Sequence, residues 1–125
     1  MILDSDILID LQRKHPPAVA WFTTTSTPLH VSGIAVMEVF AGCKDKSEWL
    51  KAEAFFAPFE FYWLSEKGLQ MALNTILPLR LANGIGLVDA LIAATSLEHG
   101  LPLATFNTKH FSHVRELQII QPYTR

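Results

Sequence analysis

The 125-residue sequence has little of what marks secreted or membrane proteins. A single cysteine, Cys43, excludes an intrachain disulfide and is typical of the reducing cytoplasm, where we expect the protein. No run of about 18 apolar residues predicts a membrane span. The N-terminus also lacks the basic, apolar and cleavage regions of a signal peptide.

Charge is also scarce, with 18% charged residues and a formal net charge of −2. Without a basic excess, composition alone does not predict nucleic-acid binding, so a polyanion would have to be attracted by a few residues or by a bound metal. Half of the sequence is hydrophobic, which is too much for a disordered chain. The length is that of one compact domain, which we expect to span residues 1–125.

Short apolar strands alternate with helical patterns along the chain. The predicted strands are residues 1–3, 29–32, 59–64, 102–105 and 118–120. The predicted helices are residues 7–14, 18–24, 35–41, 46–57, 65–82 (disturbed at Pro78) and 87–99. The alternation predicts an α/β fold with a central parallel sheet flanked by helices on both faces. Ligand sites of such sheets lie at the carboxyl ends of the strands, which places Asp4 and Asn107 on one rim.

Three strongly apolar segments contain isolated acids. Asp4 lies in "MILDSDILIDL", Glu38 is the one charge of "SGIAVMEVFAG", and Asp89 is the one charge of "GIGLVDALIAATSL". Singly, each has an ordinary structural explanation as a helix cap, a partner of the helix dipole or part of a solvated face. Together they suggest a shared role. The helices that contain Glu38 and Asp89 have no evident polar face, and a buried carboxylate is costly unless it is paired or metal-bound. A hard divalent cation such as Mg²⁺ or Mn²⁺ would neutralise them.

The segments "LDSDILID", "SGIAVMEVFAG" and "GLVDALIAATSLEHGLPLATFNTKHF" resemble, in order and spacing, the PIN-domain ribonucleases. Within that family they are most similar to the VapC-type toxins of toxin–antitoxin pairs. The resemblance covers nearly the whole chain and implies a PIN-like nuclease domain over residues 1–125. It also implies a Mg²⁺- or Mn²⁺-dependent endoribonuclease that hydrolyses RNA phosphodiester bonds, forms a homodimer and has a cognate antitoxin that covers or enters the site.

The resemblance assigns functional residues position by position. Asp4, Glu38 and Asp89 match the family's first three acids, so all three are expected metal ligands, Glu38 directly or through water. Ser5 matches the small hydroxyl residue that often follows the first acid, and it is expected to donate a hydrogen bond within the site.

Two positions depart from the family pattern. Asp6 stands where the family commonly has asparagine, which makes this site more acidic. Asn107 stands at the fourth acidic position, where its carbonyl can orient a water but supplies no charge. The number of metals therefore stays open.

Other interpretations remain at this point. Asn107 is consistent with a non-catalytic domain that only binds RNA or a partner. "LDSD" also resembles the Asp-x-Asp of haloacid-dehalogenase-type phosphatases, although Ile7 and Leu8 follow in place of Gly-Thr and "LATFNTKHF" has no acidic pair. The aromatic stretch 55–63 fits packing in the core or in a dimer interface, and base stacking is its other use.

Overall fold

A computed structural model describes all 125 residues, Met1–Arg125, and its five short strands form one sheet. Every neighbouring pair of strands is parallel, and the order across the sheet is β3-β2-β1-β4-β5. The strands are β1 (Ile2–Leu3), β2 (His30–Ser32), β3 (Phe61–Tyr62), β4 (Leu103–Ala104) and β5 (Ile119–Ile120). The predicted parallel α/β sheet is confirmed, and each observed strand lies inside its predicted range.

Helices connect the strands. They are α1 (Ser5–Gln12), α2 (Pro16–Thr24), α3 (Gly33–Ala41), α4 (Lys46–Phe56), α5 (Glu66–Met71), α6 (Arg80–Asn83), α7 (Leu87–His99) and α8 (Thr108–Phe111). The short helix α8 was not predicted. None of the helices combines the length and apolar character that crossing a membrane requires.

The first three helices each begin two residues before their predicted start. In α1 and α3 the cause is a capping side chain, because Asp4 accepts from the Ser5 amide and Ser32 accepts from the Ile34 amide. In α2 it is a proline at the first position, where the missing N–H costs nothing. The predictions started at the apolar pattern and therefore missed the capped first turn.

The predicted long helix over residues 65–82 is present but irregular. After α5 the chain forms a π-helical turn (Ala72–Ile76) and then a 3₁₀ turn (Leu77–Leu79) before α6. Pro78 lies in that 3₁₀ turn, and a proline inside a helix removes one hydrogen bond and clashes with the carbonyl four residues earlier. The wider turn before it accommodates the ring, so the predicted disturbance at Pro78 is confirmed.

The core lies on both faces of the sheet. Consecutive residues of a strand point to opposite faces, and Ile2 and Leu3 of β1 are both fully buried. Helices therefore cover the two faces, as predicted. Within the aromatic stretch 55–63, Phe56 is a core residue that contacts four other phenylalanine rings, whereas Trp63 stays half exposed.

The strand order reverses between β1 and β4. From β1 the chain moves outward through β2 to β3, and then returns to place β4 on the other side of β1. In open parallel sheets such a switch point leaves a crevice at the carboxyl ends of the two strands, and ligands bind there. Asp4 directly follows β1, and Thr105 directly follows β4.

We expect Ser32→Ala to lower the free energy of unfolding by about 1–2 kcal/mol. The Ser32 hydroxyl is fully buried, accepts from the Ile34 amide at 3.1 Å and lies 3.4 Å from the Thr95 hydroxyl. Since Thr95 donates to the Leu91 carbonyl, Ser32 is the donor between the two hydroxyls. Urea unfolding of both proteins measures the loss.

The matched control for this change is Ser47→Ala, in the first turn of α4. Ser47 is exposed and its hydroxyl makes no hydrogen bond, so its loss should change stability by less than about 0.5 kcal/mol. Equal stability of the two variants would contradict the capping role of Ser32.

Candidate active site at the switch point

Asp4 occupies the crevice between the ends of β1 and β4. It is 3% exposed, and both of its carboxylate oxygens accept hydrogen bonds. Oδ1 accepts from the Ser5 amide at 2.7 Å, and Oδ2 accepts from the Thr105 hydroxyl at 2.7 Å. No lysine, arginine or histidine forms an ion pair with it. Asp4 is therefore a buried carboxylate stabilised only by neutral donors.

Thr105 is a site residue that the sequence analysis missed. It is fully buried, its hydroxyl donates to Asp4, and its oxygen accepts from the Asn107 amide at 2.9 Å. The sequence held no signal for it, because its place depends on the register that pairs Leu3 with Ala104 in the β1–β4 ladder. The next residue of each strand is then Asp4 on one side and Thr105 on the other.

Asp6 connects the start of α1 to the loop after β4. Its Oδ1 accepts from the Ile7 amide at 2.7 Å and its Oδ2 from the Phe106 amide at 2.8 Å. Both oxygens are thus engaged by backbone N–H groups. The carboxylate that the sequence analysis noted as extra acidity joins two segments of the site.

Asp89 and Asn107 face each other at the outer side of the same crevice. Asp89 is the third residue of α7, and the Asn107 side-chain amide donates to its Oδ2 at 3.1 Å. His110 of α8, which its position in the sequence already places near this rim, has its Nδ1 3.5 Å from that oxygen. Sequence reasoning assigned the Asn107 carbonyl to a water, whereas the structure engages its N–H group with an acid.

Glu38 lies on the surface and takes part in none of these contacts. It is exposed on α3 and makes no side-chain hydrogen bond or ion pair. The expectation that the α3 acid has only apolar surroundings is therefore wrong. Glu38 and Ser5 line a groove of about 970 Å³ between α1, α3 and α4, which also contains Arg13 and Lys51. Ser5 lies between the two regions, because its amide and, at 3.5 Å, its hydroxyl donate to Asp4, while the residue also lines the groove. The hydroxyl contact is the one expected from the sequence.

No lysine or arginine binds a carboxylate of the crevice. Burial, followed by the charge of Asp6, raises the pKa of Asp4 to about 7, although hydrogen bonds from Thr105 and Ser5 oppose the rise. The charge of Asp89 adds to it. Burial also raises the pKa of Asp6, although the hydrogen bonds from the Phe106 and Ile7 amides and the charge of Arg125 oppose the rise. Neighbouring carboxyl groups with raised pKa values indicate a place where a cation would be stabilised.

The donor set fits a hydrated divalent cation. No three His, Cys, Asp or Glu side chains converge to hold a metal by themselves, which excludes a closed zinc-type cage. Mg²⁺ keeps several waters and is typically held by one or two carboxylates together with substrate phosphates. Asp4 and Asp89 retain free carboxylate lone pairs for such a role, and Thr105 and Asn107 fix their orientation.

Comparisons with known proteins agree on one family. The model of the PIN domain matches residues 1–117. The chain is 26% identical to a ribonuclease VapC of Rickettsia bellii over 130 residues, covering 96% of this chain and 94% of the relative.

Solved structures give the same result for the fold. A chain of a toxin–antitoxin complex from Klebsiella pneumoniae is 28% identical, with a TM-score of 0.75 and coverage of 99% of this chain and 98% of that one. A chain of VapBC2 from Rickettsia felis, bound to a DNA fragment from its promoter, is 22% identical, with a TM-score of 0.76 and coverage of 95% and 96%. The second likeness supports the fold alone.

The raised pKa of Asp4 predicts a specific pH dependence of stability in metal-free protein. The folded-state pKa is about 7 against an ordinary value of 3.8, so the folded state binds more protons than the unfolded state between these values. The contribution of Asp4 to the free energy of unfolding therefore falls as pH rises through that interval. Asp4→Asn removes this dependence, so the variant should gain stability relative to wild type between about pH 5 and about pH 8.

Urea unfolding in EDTA at the two pH values measures the difference. Glu66→Gln is the control, because it neutralises an exposed acid without hydrogen bonds at the start of α5. Its free energy of unfolding should differ from that of wild type by the same amount at both pH values. If the free energy of unfolding of Asp4→Asn also differed from wild type by the same amount at both pH values, Asp4 would be ionised throughout this pH range, contrary to the prediction.

Proposed function

The chain belongs to the PIN-domain family, and we propose that it is a Mg²⁺- or Mn²⁺-dependent endoribonuclease of the VapC type, the toxin of a toxin–antitoxin pair. The observation that carries the proposal is the buried, cation-free carboxylate of Asp4 at the switch point, with Asp89 and Asn107 beside it. Such a site would stabilise a divalent cation, and a bound cation can activate water for the hydrolysis of a phosphodiester.

We assign roles to the residues from their contacts. Asp4 and Asp89 would hold the cation, and Glu38 would reach it from the groove through water. When bound, the cation lowers the pKa of a coordinated water and neutralises charge on the scissile phosphate. Thr105 fixes one oxygen of Asp4, Asn107 fixes one oxygen of Asp89, and the Ser5 amide fixes the other oxygen of Asp4.

RNA is the proposed substrate because the Rickettsia bellii relative is a ribonuclease. The groove beside Ser5 is a suitable path for a single strand, since it begins at the site and contains Arg13 and Lys51. Its two glutamates, Glu38 and Glu48, leave it without a strong positive field, so attraction of RNA would depend on the bound cation.

An antitoxin is the proposed protein partner, because the Klebsiella pneumoniae structure is a toxin–antitoxin complex. A homodimer remains a prediction, and exposed leucines on α5 to α7 and the segment between them offer it apolar surface (Leu69, Leu73, Leu81 and Leu87). A cytoplasmic location and a single nuclease domain over residues 1–125 belong to the same proposal. The family match leaves the phosphatase interpretation without support.

A non-catalytic domain that binds RNA is the second candidate. Two observations favour it, namely the neutral Asn107 at the fourth acidic position and the absence of three converging acids. The two functions differ in one result, because only the enzyme cleaves single-stranded RNA when metal is supplied.

Cleavage of single-stranded RNA should stop in EDTA and return with Mg²⁺ or Mn²⁺. Asp89→Asn should reduce cleavage to the level seen in EDTA, because it removes a ligand charge while keeping the side-chain shape. Glu66→Gln is the matched control and should cleave like wild type. Gel assays with labelled RNA measure this. Metal-independent cleavage by wild type would contradict the proposed chemistry, and RNA binding without cleavage in Mn²⁺ would favour the second candidate.

Asn107→Asp should tighten Mn²⁺ binding by roughly tenfold, equivalent to about 1.4 kcal/mol. The substitution replaces the amide that binds Asp89 at 3.1 Å with a carboxylate, so two charges repel in metal-free protein and a cation relieves the repulsion. The melting temperature in EDTA should therefore fall, while the temperature in Mn²⁺ recovers.

Calorimetric titration of Mn²⁺ tests this change, with Asn107→Ala as the comparison that releases Asp89 without adding charge. Unchanged Mn²⁺ affinity in Asn107→Asp would place residue 107 outside the metal site.

A further inference from the structure

Asp10, near the end of α1, is bound by two residues of the last segment of the chain. It is 8% exposed, and its Oδ2 accepts from the Tyr123 hydroxyl at 2.7 Å. Arg125 donates from Nε to Oδ2 and from Nη2 to Oδ1, both at 3.0 Å. This two-bond geometry is the strong form of an arginine–carboxylate pair. We call these three residues the Asp10 clasp.

The clasp also contacts a ring next to the proposed active site. The Arg125 guanidinium carbon lies 4.9 Å from the centroid of the Phe106 ring, and the Tyr123 ring meets Phe106 edge-on at 5.0 Å. Tyr123 is itself seated against Trp21 of α2, with ring centroids 5.9 Å apart. Phe106 is therefore held from two sides by residues that are anchored elsewhere.

Phe106 lies between two residues of the site. Thr105, directly before it, donates to Asp4, and Asn107, directly after it, donates to Asp89. The Phe106 amide binds Asp6 at 2.8 Å. A small rotation of this loop would break all three contacts, because they run through consecutive residues.

The loop supplies donors to both acids at the start of α1. The Thr105 hydroxyl binds Asp4 and the Phe106 amide binds Asp6, so the positions of these two carboxylates depend on where the loop lies. Asp10 lies on α1, the helix that Asp4 caps and that contains Asp6, so the clasp ties that helix to the loop independently of the site's own hydrogen bonds.

We propose that Tyr123 and Arg125 are positioning residues of the metal site, which hold the loop Thr105–Asn107 against the start of α1 through Asp10 and Phe106. This inference rests on the proposed function. It assigns no contact with metal or RNA to either residue. Their effect is on the geometry of Asp4 and Asp89, and hence on metal affinity and turnover.

The test uses Arg125→Ala and Tyr123→Phe in the full chain. Tyr123→Phe removes only the hydroxyl and keeps the ring on Phe106, so it is the variant least able to disturb folding. Arg115→Ala is the matched control, because Arg115 is an exposed arginine without hydrogen bonds or ion pairs. Calorimetry with Mn²⁺ alone gives the metal dissociation constant. RNA cleavage gives kcat and KM, and hydrogen exchange reports on the Phe106 and Asn107 amides.

Mutating a residue that binds a metal ligand directly typically weakens metal affinity by about 10–100-fold. Arg125 acts on the ligands only through Asp10 and Phe106, so we expect Arg125→Ala to weaken Mn²⁺ affinity by about 3–10-fold. Tyr123→Phe should change affinity in the same direction by less. In both variants kcat should fall with KM for RNA unchanged, and exchange at Phe106 and Asn107 should accelerate. Arg115→Ala should match wild type.

The inference would be overturned if the variants melted at lower temperature but kept the Mn²⁺ affinity, kcat and amide exchange rates of wild type, all measured well below melting. The clasp would then have only a structural role. A wild type that neither binds Mn²⁺ nor cleaves RNA would instead refute the proposed function. The exchange rates at Phe106 and Asn107 would then still decide whether the clasp positions the loop.

Discussion

The hydrogen bond from the Thr105 hydroxyl to Asp4 joins the ends of the two strands at which the sheet changes direction. It also satisfies one oxygen of a carboxylate that has been taken out of water without a cation. Most of the site's other contacts follow from that arrangement. The Ser5 amide binds the second oxygen, and the loop after Thr105 is held by Asp6 and by the Asp10 clasp.

Burial of Asp4 is unfavourable in the metal-free protein and would favour the proposed cation. Neutral donors reduce the cost of the charge but do not remove it, which is why the pKa of Asp4 stays raised at about 7. A buried carboxylate of this kind makes the metal-free protein less stable than a well-packed hydrophobic side chain would. Under the proposed function a bound cation would offset that cost, which accounts for the buried acid Asp4 in an apolar segment.

Much of this arrangement could be predicted from the sequence. The alternation of strands and helices predicted a parallel sheet, and the common direction of its strands placed Asp4 and Asn107 on one rim. The range of α7 and its end at Gly100 were also predicted correctly. Helices often end at a residue with positive φ, and glycine is the residue that adopts this conformation most easily, so its place in the sequence marks the end of the helix.

The failures have physical causes too. Glu38 was expected in apolar surroundings because its neighbours in sequence are apolar, but a helix of only nine residues can expose one such position while burying others. Thr105 and Asp6 depend on strand register and on a contact across 100 residues of sequence, which a local pattern does not contain. The clasp depends on Arg125 reaching Asp10, which is likewise invisible before folding.

The most direct measurement is the titration of the Asp4 carboxyl carbon by NMR, with and without Mg²⁺. The account predicts that in metal-free protein this carbon titrates near pH 7, and that Mg²⁺ moves its titration to lower pH because the cation stabilises the ionised form. A carboxyl carbon that titrates close to its ordinary value without metal, or that does not respond to Mg²⁺, would contradict the claim that this buried acid is held in place for a cation.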